Sequence, residues 1–488
     1  MNFEIIDIKD LSTHLGGMLE SAFEFDSAEL ADSIKKLDTF IQKFRPDLVV
    51  GVESFYIDKL YRDAYYHYYS SKLKEYKRNC IRVSFFSTAI SLSDFYSVQG
   101  AQKLQEHFMG FIIIRPTSPN IIGRNVLRPD IFVKNTIYHT SFARFGAAVN
   151  GIKLEVEGFP HSSQDAEFMV CAETTIWSLM EYFSNRYAEY KPVLPKTIHN
   201  VLSQLSMQRQ VPSAGLTGLQ ISYALKEFGF GVKLYTANSY PGVELYRMIQ
   251  MYVESGIPTI VAITNQNGIG HVMNIVGRTD LKIGGTFQYT PIEVFSNGSE
   301  LYDYYEQPAN YLVVDDNMAP YGVIPLSDPA CNYTNPIWQN CTIAAAIVPL
   351  YFRIYMEADR ARNVAIQLLK SHDQRAHLPS LVLRVLLSSS RTFKHTVSLN
   401  EELDLVVKTL IINIKMPKFV WIAEVGPPDL MADEKATGLI LMDATEPKKP
   451  AILAYLLENS YIGPANGSSG QYSIPLSPFS IHKNLKPF

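Results

Sequence analysis

Residues 164–183 read QDAEFMVCAETTIWSLMEYF. They place Cys171 at the mouth of a helical pattern, in which Ile176, Leu179, Met180, Phe183 and Tyr187 recur at spacings of three and four. That spacing is a core-facing stripe. A cysteine there has two readings. It is a buried apolar residue, the commoner fate of cysteine, or it is a nucleophile. A nucleophile needs a helix N-terminus, whose unpaired N–H groups and positive dipole end favour the thiolate and supply half of an oxyanion hole. It also needs an imidazole partner.

The residues that follow supply one. GLTGLQISYALKEFGF (215–230) predicts a second helix, capped by Thr217 and stopped at Gly229. VELYRMIQMYVESG (243–256) predicts a third. IPTIVAI, the turn TNQNGIG and HVMNIVGR then predict two strands, with His271 opening the second. YLVVDDN (311–317) predicts another strand ending in Asp315 and Asp316. If it pairs with the histidine strand, one carboxylate reaches His271 and fixes its second nitrogen. Strand alternation allows only one of the two to do so, and Asp315, directly after the apolar run, is preferred. Gln164, seven residues before Cys171, is the candidate second oxyanion donor. His161, Gln208 and Gln210 are alternative neighbours of the site. A carboxylate beside the sulfur opposes the thiolate, so Glu167 and Glu173 are expected to face solvent or pair elsewhere. Trp177 is expected to serve as packing, whereas Trp338 and Cys341 either close one side of the cleft or, as the simpler reading, pack in the core.

The order Gln164, Cys171 at a helix start, His271 at a strand start and Asp315 after a strand resembles the papain-like cysteine peptidases. Within them it is similar to the bacterial bacteriocin-processing group: SGIPTIVAI compares with the strand entry of that group, GHVMNIVGR with its histidine strand and YLVVDDN with its aspartate strand. The resemblance implies an α+β fold, with a papain-like core of helices packed on an antiparallel sheet and additional α/β regions flanking it. It gives Gln164 the oxyanion, Cys171 the attack, His271 general base and acid catalysis, and Asp315 the orientation of the ring. The implied activity is that of a cysteine peptidase or amidohydrolase cleaving an amide of a peptide or protein through an acyl-thioester. A transglutaminase-like acyltransferase and a non-catalytic protein-interaction module are the alternatives. The chain departs from that group in having Val170-Cys171-Ala172 where Asp-Cys-Gly is usual, and in the long segment between His271 and Asp315.

Length and composition frame this reading. A chain of 488 residues suggests two to four domains. The expected division is 1–150 as an N-terminal α/β region, 151–345 as the catalytic region with an insertion at 279–310, and 346–488 as a C-terminal α/β region. Four cysteines without CxxC spacing argue against a disulfide scaffold and a zinc site. A net charge of -4 gives no general attraction for nucleic acid, and KLKEYKRNC (72–80), the nearest approach to a basic patch, reads equally well as a solvated helix end. No run of about 20 apolar residues predicts a membrane span. The chain is expected to be cytoplasmic, with no metal and no cofactor; its oligomeric state is not read. In the flanks, Ser27 is the expected cap of a helix over the following residues, and AAAIVPLYFRIYMEADRARNVAIQLL suggests a helix interrupted by Pro349. The tail from Gly463 is expected to be irregular, and Glu424 with Asp443 is a remote second-site candidate.

Overall fold

The computed structural model describes residues 3–205, 215–280, 290–306, 309–448, 451–458, 460–465, 468–474 and 476–488. The N-terminal part builds an antiparallel sheet from Phe3–Asp7 (β1), Val49–Tyr56 (β2), Cys80–Phe86 (β3), Phe108–Ile114 (β4) and Ile122–Leu127 (β5). Tyr138–Thr140 (β6) leaves for a second sheet, and Ala143–Val149 (β7) and Ile152–His161 (β8) complete the first in the order β1-β2-β3-β4-β5-β8-β7. Helices Leu11–Phe23 (α1), Ser27–Ile41 (α2), Lys59–His67 (α3) and Val98–His107 (α4) are interleaved with these strands. The cap of α2 is Asp26, one residue before the expected Ser27. Its carboxylate accepts from the Ala28 and Glu29 N–H groups while Glu29 reaches back to the Asp26 N–H, so both residues satisfy otherwise orphaned donors.

Next come Cys171–Arg186 (α5), Pro195–Ser203 (α6), Gly218–Glu227 (α7), Phe230–Thr236 (β9), Val243–Glu254 (α8), Thr259–Thr264 (β10) and Gly270–Thr279 (β11). The expected Thr217 cap is present, in a capping box with Gln220. Pro291–Val294 (β12), Glu300–Asp303 (β13), Tyr311–Val314 (β14), Gly322–Ile324 (β15) and Thr342–Tyr351 (β16) follow. The second sheet runs β15-β14-β11-β10-β16-β9, with β6 against β11 and the C-terminal pair Lys486–Pro487 against β6. It is buried on both faces. Ile260, Val272, Val276, Leu312 and Val314 pack with the α5 core, whereas Val261, Ile263, Met273, Ile275 and Val313 pack with the α8 core. That is period-two alternation with both sets apolar, which is why these strands read as nearly unbroken apolar runs.

Residues 344–351, the start of the segment expected to be helical, belong to β16 instead. Pro349 is tolerated because β10 pairs only as far as Ile347, and at Pro349 the strand has β9 on one side alone. The helix of this segment, Ala358–Ala376 (α9), starts later. Leu381–Ser389 (β17), Ser390–Leu399 (α10), Leu405–Asn413 (α11) and Phe419–Gly426 (β18) precede strands 438–443, 452–457, 460–465 and 468–473. The last of these lies in the tail expected to be irregular. Together with β12 and β13 these strands make the third sheet, in which only β13 and β17 run parallel. So the described part of segment 279–310 is a sheet edge.

The expected papain-like α+β core is not what the chain forms. The fold is mixed α/β, 34% helix and 32% strand, with mostly antiparallel sheets that include a half-barrel. Helix α5 is not laid on one sheet. It lies between β7 and β8 of the first sheet and β11 of the second, and residues 172–183 are all buried. Helix α8 covers the opposite face of the second sheet and packs on β17 of the third. The motifs that suggested the core are short and local, whereas the architecture is decided by strands joining the sheet from distant parts of the chain. Among the described residues, no helix is long and apolar enough to cross a membrane.

Candidate active site

Cys171 is the first residue of α5. The cap position, Val170, is extended and offers no side-chain acceptor. The first helical bond runs from the Thr174 N–H to the Val170 carbonyl at 3.0 Å, so the N–H groups of Cys171 and Ala172 precede the ladder, at the positive end of a 16-residue helix. Cys171 is half-buried and not in a disulfide. Its approach segment is held rigidly. Asp165 accepts from the N–H groups of Glu167, Phe168 and Met169 at 3.0, 2.8 and 2.8 Å. The buried Arg115 guanidinium donates to the carbonyls of Ser163 and Gln164, both at 2.8 Å. His199 contacts the Phe168 carbonyl through Nε2 at 2.8 Å.

Two hydrogen bonds set α5 against β11: Thr175 Oγ1 donates to the Val272 carbonyl at 3.3 Å, and Asn274 Nδ2 to the Thr175 carbonyl at 3.2 Å. They align the helix start with the start of β11, where His271 stands after Gly270. His271 is buried. Its Nε2 is 2.9 Å from Asp315 Oδ1, and the Cys171 thiol lies close enough to the ring to raise its proton affinity. With Nε2 held by Asp315, the nitrogen available to the thiol is Nδ1. Burial lowers the affinity of the ring for a proton, but the charge and hydrogen bond of Asp315, the nearby Cys171 thiol and the charge of Asp316 outweigh it. The ring is held well above its usual value. Burial would raise the Asp315 carboxyl; the His271 charge and the bonds from His271, Tyr333 and Asn317 bring it below its usual value instead.

Asp315 is the better-held carboxylate. Its Oδ1 also accepts from the Asn317 N–H at 3.0 Å, and its Oδ2 from the Tyr333 hydroxyl at 2.6 Å. Beneath it, His161 Nε2 donates to the Asp315 carbonyl at 2.9 Å, while Nδ1 meets Asn125 Nδ2 at 2.8 Å. A carbonyl only accepts and an amide NH2 only donates, so the ring is the neutral Nε2–H tautomer. Burial pushes its pKa down to about 4. His161 therefore positions the aspartate and does not stand in for His271. Alternation does not separate the two aspartates, because β14 ends at Val314 and both lie on the turn beyond it. Asp316 Oδ1 is 3.7 Å from His271 Nε2. Burial and the neighbouring Asp315 charge raise its pKa, against the pull of His271.

Gln164 is brought to the same turn. Its Nε2 donates to Asn317 Oδ1 at 2.5 Å and its backbone N–H to the Asp316 carbonyl at 3.3 Å. Gln208 and Gln210 lie outside the described residues. Glu167 pairs with Lys72 and Tyr68, both at 2.6 Å, whereas Glu173 is buried and does not face solvent. In the basic stretch 72–80, which follows the helical turn at Tyr69–Ser71, Lys72, Lys74 and Lys77 each hold a glutamate. Trp338 does more than fill space, since its ring stands 5.8 Å from that of His271 at 66° and flanks it.

Sequence reasoning did not single out Asn317 or Tyr333. Asn317 was signalled by its place after two aspartates at a strand end, a turn composition. Tyr333, 18 residues beyond Asp315, carried no local signal. His271 Nε2 and carboxylate oxygens of Asp315 and Asp316 lie within 4.8 Å of one another, a spacing that suits a metal ion. No known family model matches the chain, and no curated protein matches it.

Proposed function

We propose that the chain is a thiol hydrolase that cleaves an amide bond of a peptide or protein. The observation that carries this reading is His271, with the thiol of Cys171 at a helix start near its ring and Asp315 bonded to its Nε2 at 2.9 Å. The raised proton affinity of the ring favours an imidazolium, and an imidazolium beside a sulfur favours the thiolate. The thiolate attacks the amide carbon and forms a C–S bond, with the oxyanion received by the Cys171 N–H and the second amide N–H of Gln164. His271 gives its proton to the leaving nitrogen as the C–N bond breaks, leaving an acyl-thioester. The neutral ring then takes a proton from water, whose oxygen attacks the thioester and releases the acid and the thiolate. Asp315 keeps the ring oriented through both steps.

The test is iodoacetamide labelling from about pH 4 to 9, against an ordinary thiol pKa of about 8.5, with the modified residue located by mass spectrometry. Rapid labelling of Cys171 well below neutral pH, slowed in His271→Ala, is the expected result. Labelling that rises only with an ordinary thiol pKa, unchanged by loss of His271, would overturn the proposal.

A further inference from the structure

The proposed reaction uses one of the two aspartates that face His271. The second, Asp316, is among the least accessible carboxylates of the chain, its side chain 2% exposed. Both Asp315 oxygens receive hydrogen bonds, whereas neither Asp316 oxygen has a hydrogen-bond partner at ordinary geometry. A buried carboxylate without donors is costly, and two of them facing a single imidazole leave an excess of negative charge. A tetrahedral divalent ion with bonds of about 2.0 Å separates its ligands by about 3.3 Å. His271 Nε2 lies 2.9 Å from Asp315 Oδ1 and 3.7 Å from Asp316 Oδ1, either side of that value.

We infer that His271 Nε2, Asp315 and Asp316 form a binding site for a divalent transition ion of the zinc class. One imidazole and two carboxylates suit zinc, cobalt or manganese better than magnesium or calcium, which prefer all-oxygen shells. Binding expels the proton held between Nε2 and Asp315, and the 2+ charge neutralises both carboxylates. Cys171 is not among the three ligands. Resting on the thiol-hydrolase reading, one consequence follows: with Nε2 on the ion the ring is no longer an imidazolium oriented by Asp315, so the ion turns the thiol off.

The experiment titrates the full-length, chelator-stripped protein with Co2+ and then Zn2+. One equivalent of Co2+ should bind with visible d–d bands but no sulfur-to-cobalt charge-transfer band. Cys171→Ala should bind as tightly as the parent, and Asp316→Asn at least about tenfold more weakly. Bound Zn2+ should slow iodoacetamide labelling of Cys171 at least about tenfold, and leave Asp316→Asn unaffected. A charge-transfer band, or binding lost with Cys171, would place the ion on the sulfur and overturn the inference. So would a parent protein that retains no ion, in which case a proton resolves the charge on Asp316. The cobalt spectrum and Cys171→Ala decide the matter even if Asp316→Asn does not fold. A thiol inert without metal would remove the off-switch and the hydrolase reading, while the spectrum still reports on the site.

Discussion

Replacing His161 by glutamine tests how Asp315 is held, and the size of the effect follows from linkage. The folded ring has a pKa of about 4 because burial disfavours its charged form; the unfolded chain offers an ordinary histidine near about 6.5. The folded value is the lower one, so as pH falls through 6.5 the unfolded state takes up the proton first. The stability this group contributes is full above that value and is lost progressively down to pH 4. Between pH 7 and 4.5 the loss amounts to about 2 kcal/mol, nearly all of it incurred below pH 6.5. His271 works in the opposite sense. Its raised pKa adds stability below its unfolded value that disappears as pH rises through the folded one. The parent's own pH slope mixes these terms, so the informative quantity is the difference between parent and variant. Glutamine can still donate to the Asp315 carbonyl and accept from Asn125, but it cannot titrate. Urea unfolding at the two pH values should show His161→Gln losing about 2 kcal/mol less than the parent. An NMR titration of the parent should place the His161 ring near 4. Equal losses in the two proteins, or a ring titrating near its ordinary value, would refute the argument that a neutral His161 supports the aspartate turn.

Tyr333→Phe removes the hydroxyl that donates to Asp315 Oδ2; urea unfolding at neutral pH should show a loss of about 1.5–3 kcal/mol, the value of a hydrogen bond to a charged group. Away from the site, Arg384 is fully buried and joins Glu254 of α8 to Glu424 of β18, both at 2.7 Å. Glu424 is thus a structural partner of Arg384, and Arg384→Ala, which strands the buried Glu424 and leaves Glu254 to Arg278 alone, should cost about 3–5 kcal/mol in the same assay.

The chemistry of the candidate site was legible because it is written in short local patterns. A cysteine before a helical stripe, a histidine opening a strand and aspartates closing one can each be read from about ten residues. Strand alternation misled for the two aspartates because β14 stops at Val314, and on a turn neighbouring side chains need not point apart. Pro349 misled for a related reason: proline is barred from a strand paired on both sides, and no local pattern tells that β10 has already ended. The architecture was not legible. It depends on pairings such as β6 with β11, β13 with β17 and Lys486–Pro487 with β6, between segments from about 80 to several hundred residues apart. Hydrophobic periodicity says that a strand is buried on two faces but not what its neighbour is.

This division has a consequence for how the site works. His271 is oriented by Asp315, and Asp315 is fixed from three directions: His161 at the end of β8 in the first sheet, Asn317 on its own turn, and Tyr333 from the segment between β15 and β16. The His161 support closes only when the first and second sheets have docked with α5 between them. The thiol and its base therefore come into register as a property of the assembled layers. A substitution that loosens the docking, such as Leu179→Ala in the middle of α5, removes a fully buried side chain and should cost about 2–5 kcal/mol. It should also slow Cys171 labelling without touching any residue of the site. Stability lost with no change in thiol reactivity would mean that α5 and the aspartate turn are held by their local bonds alone.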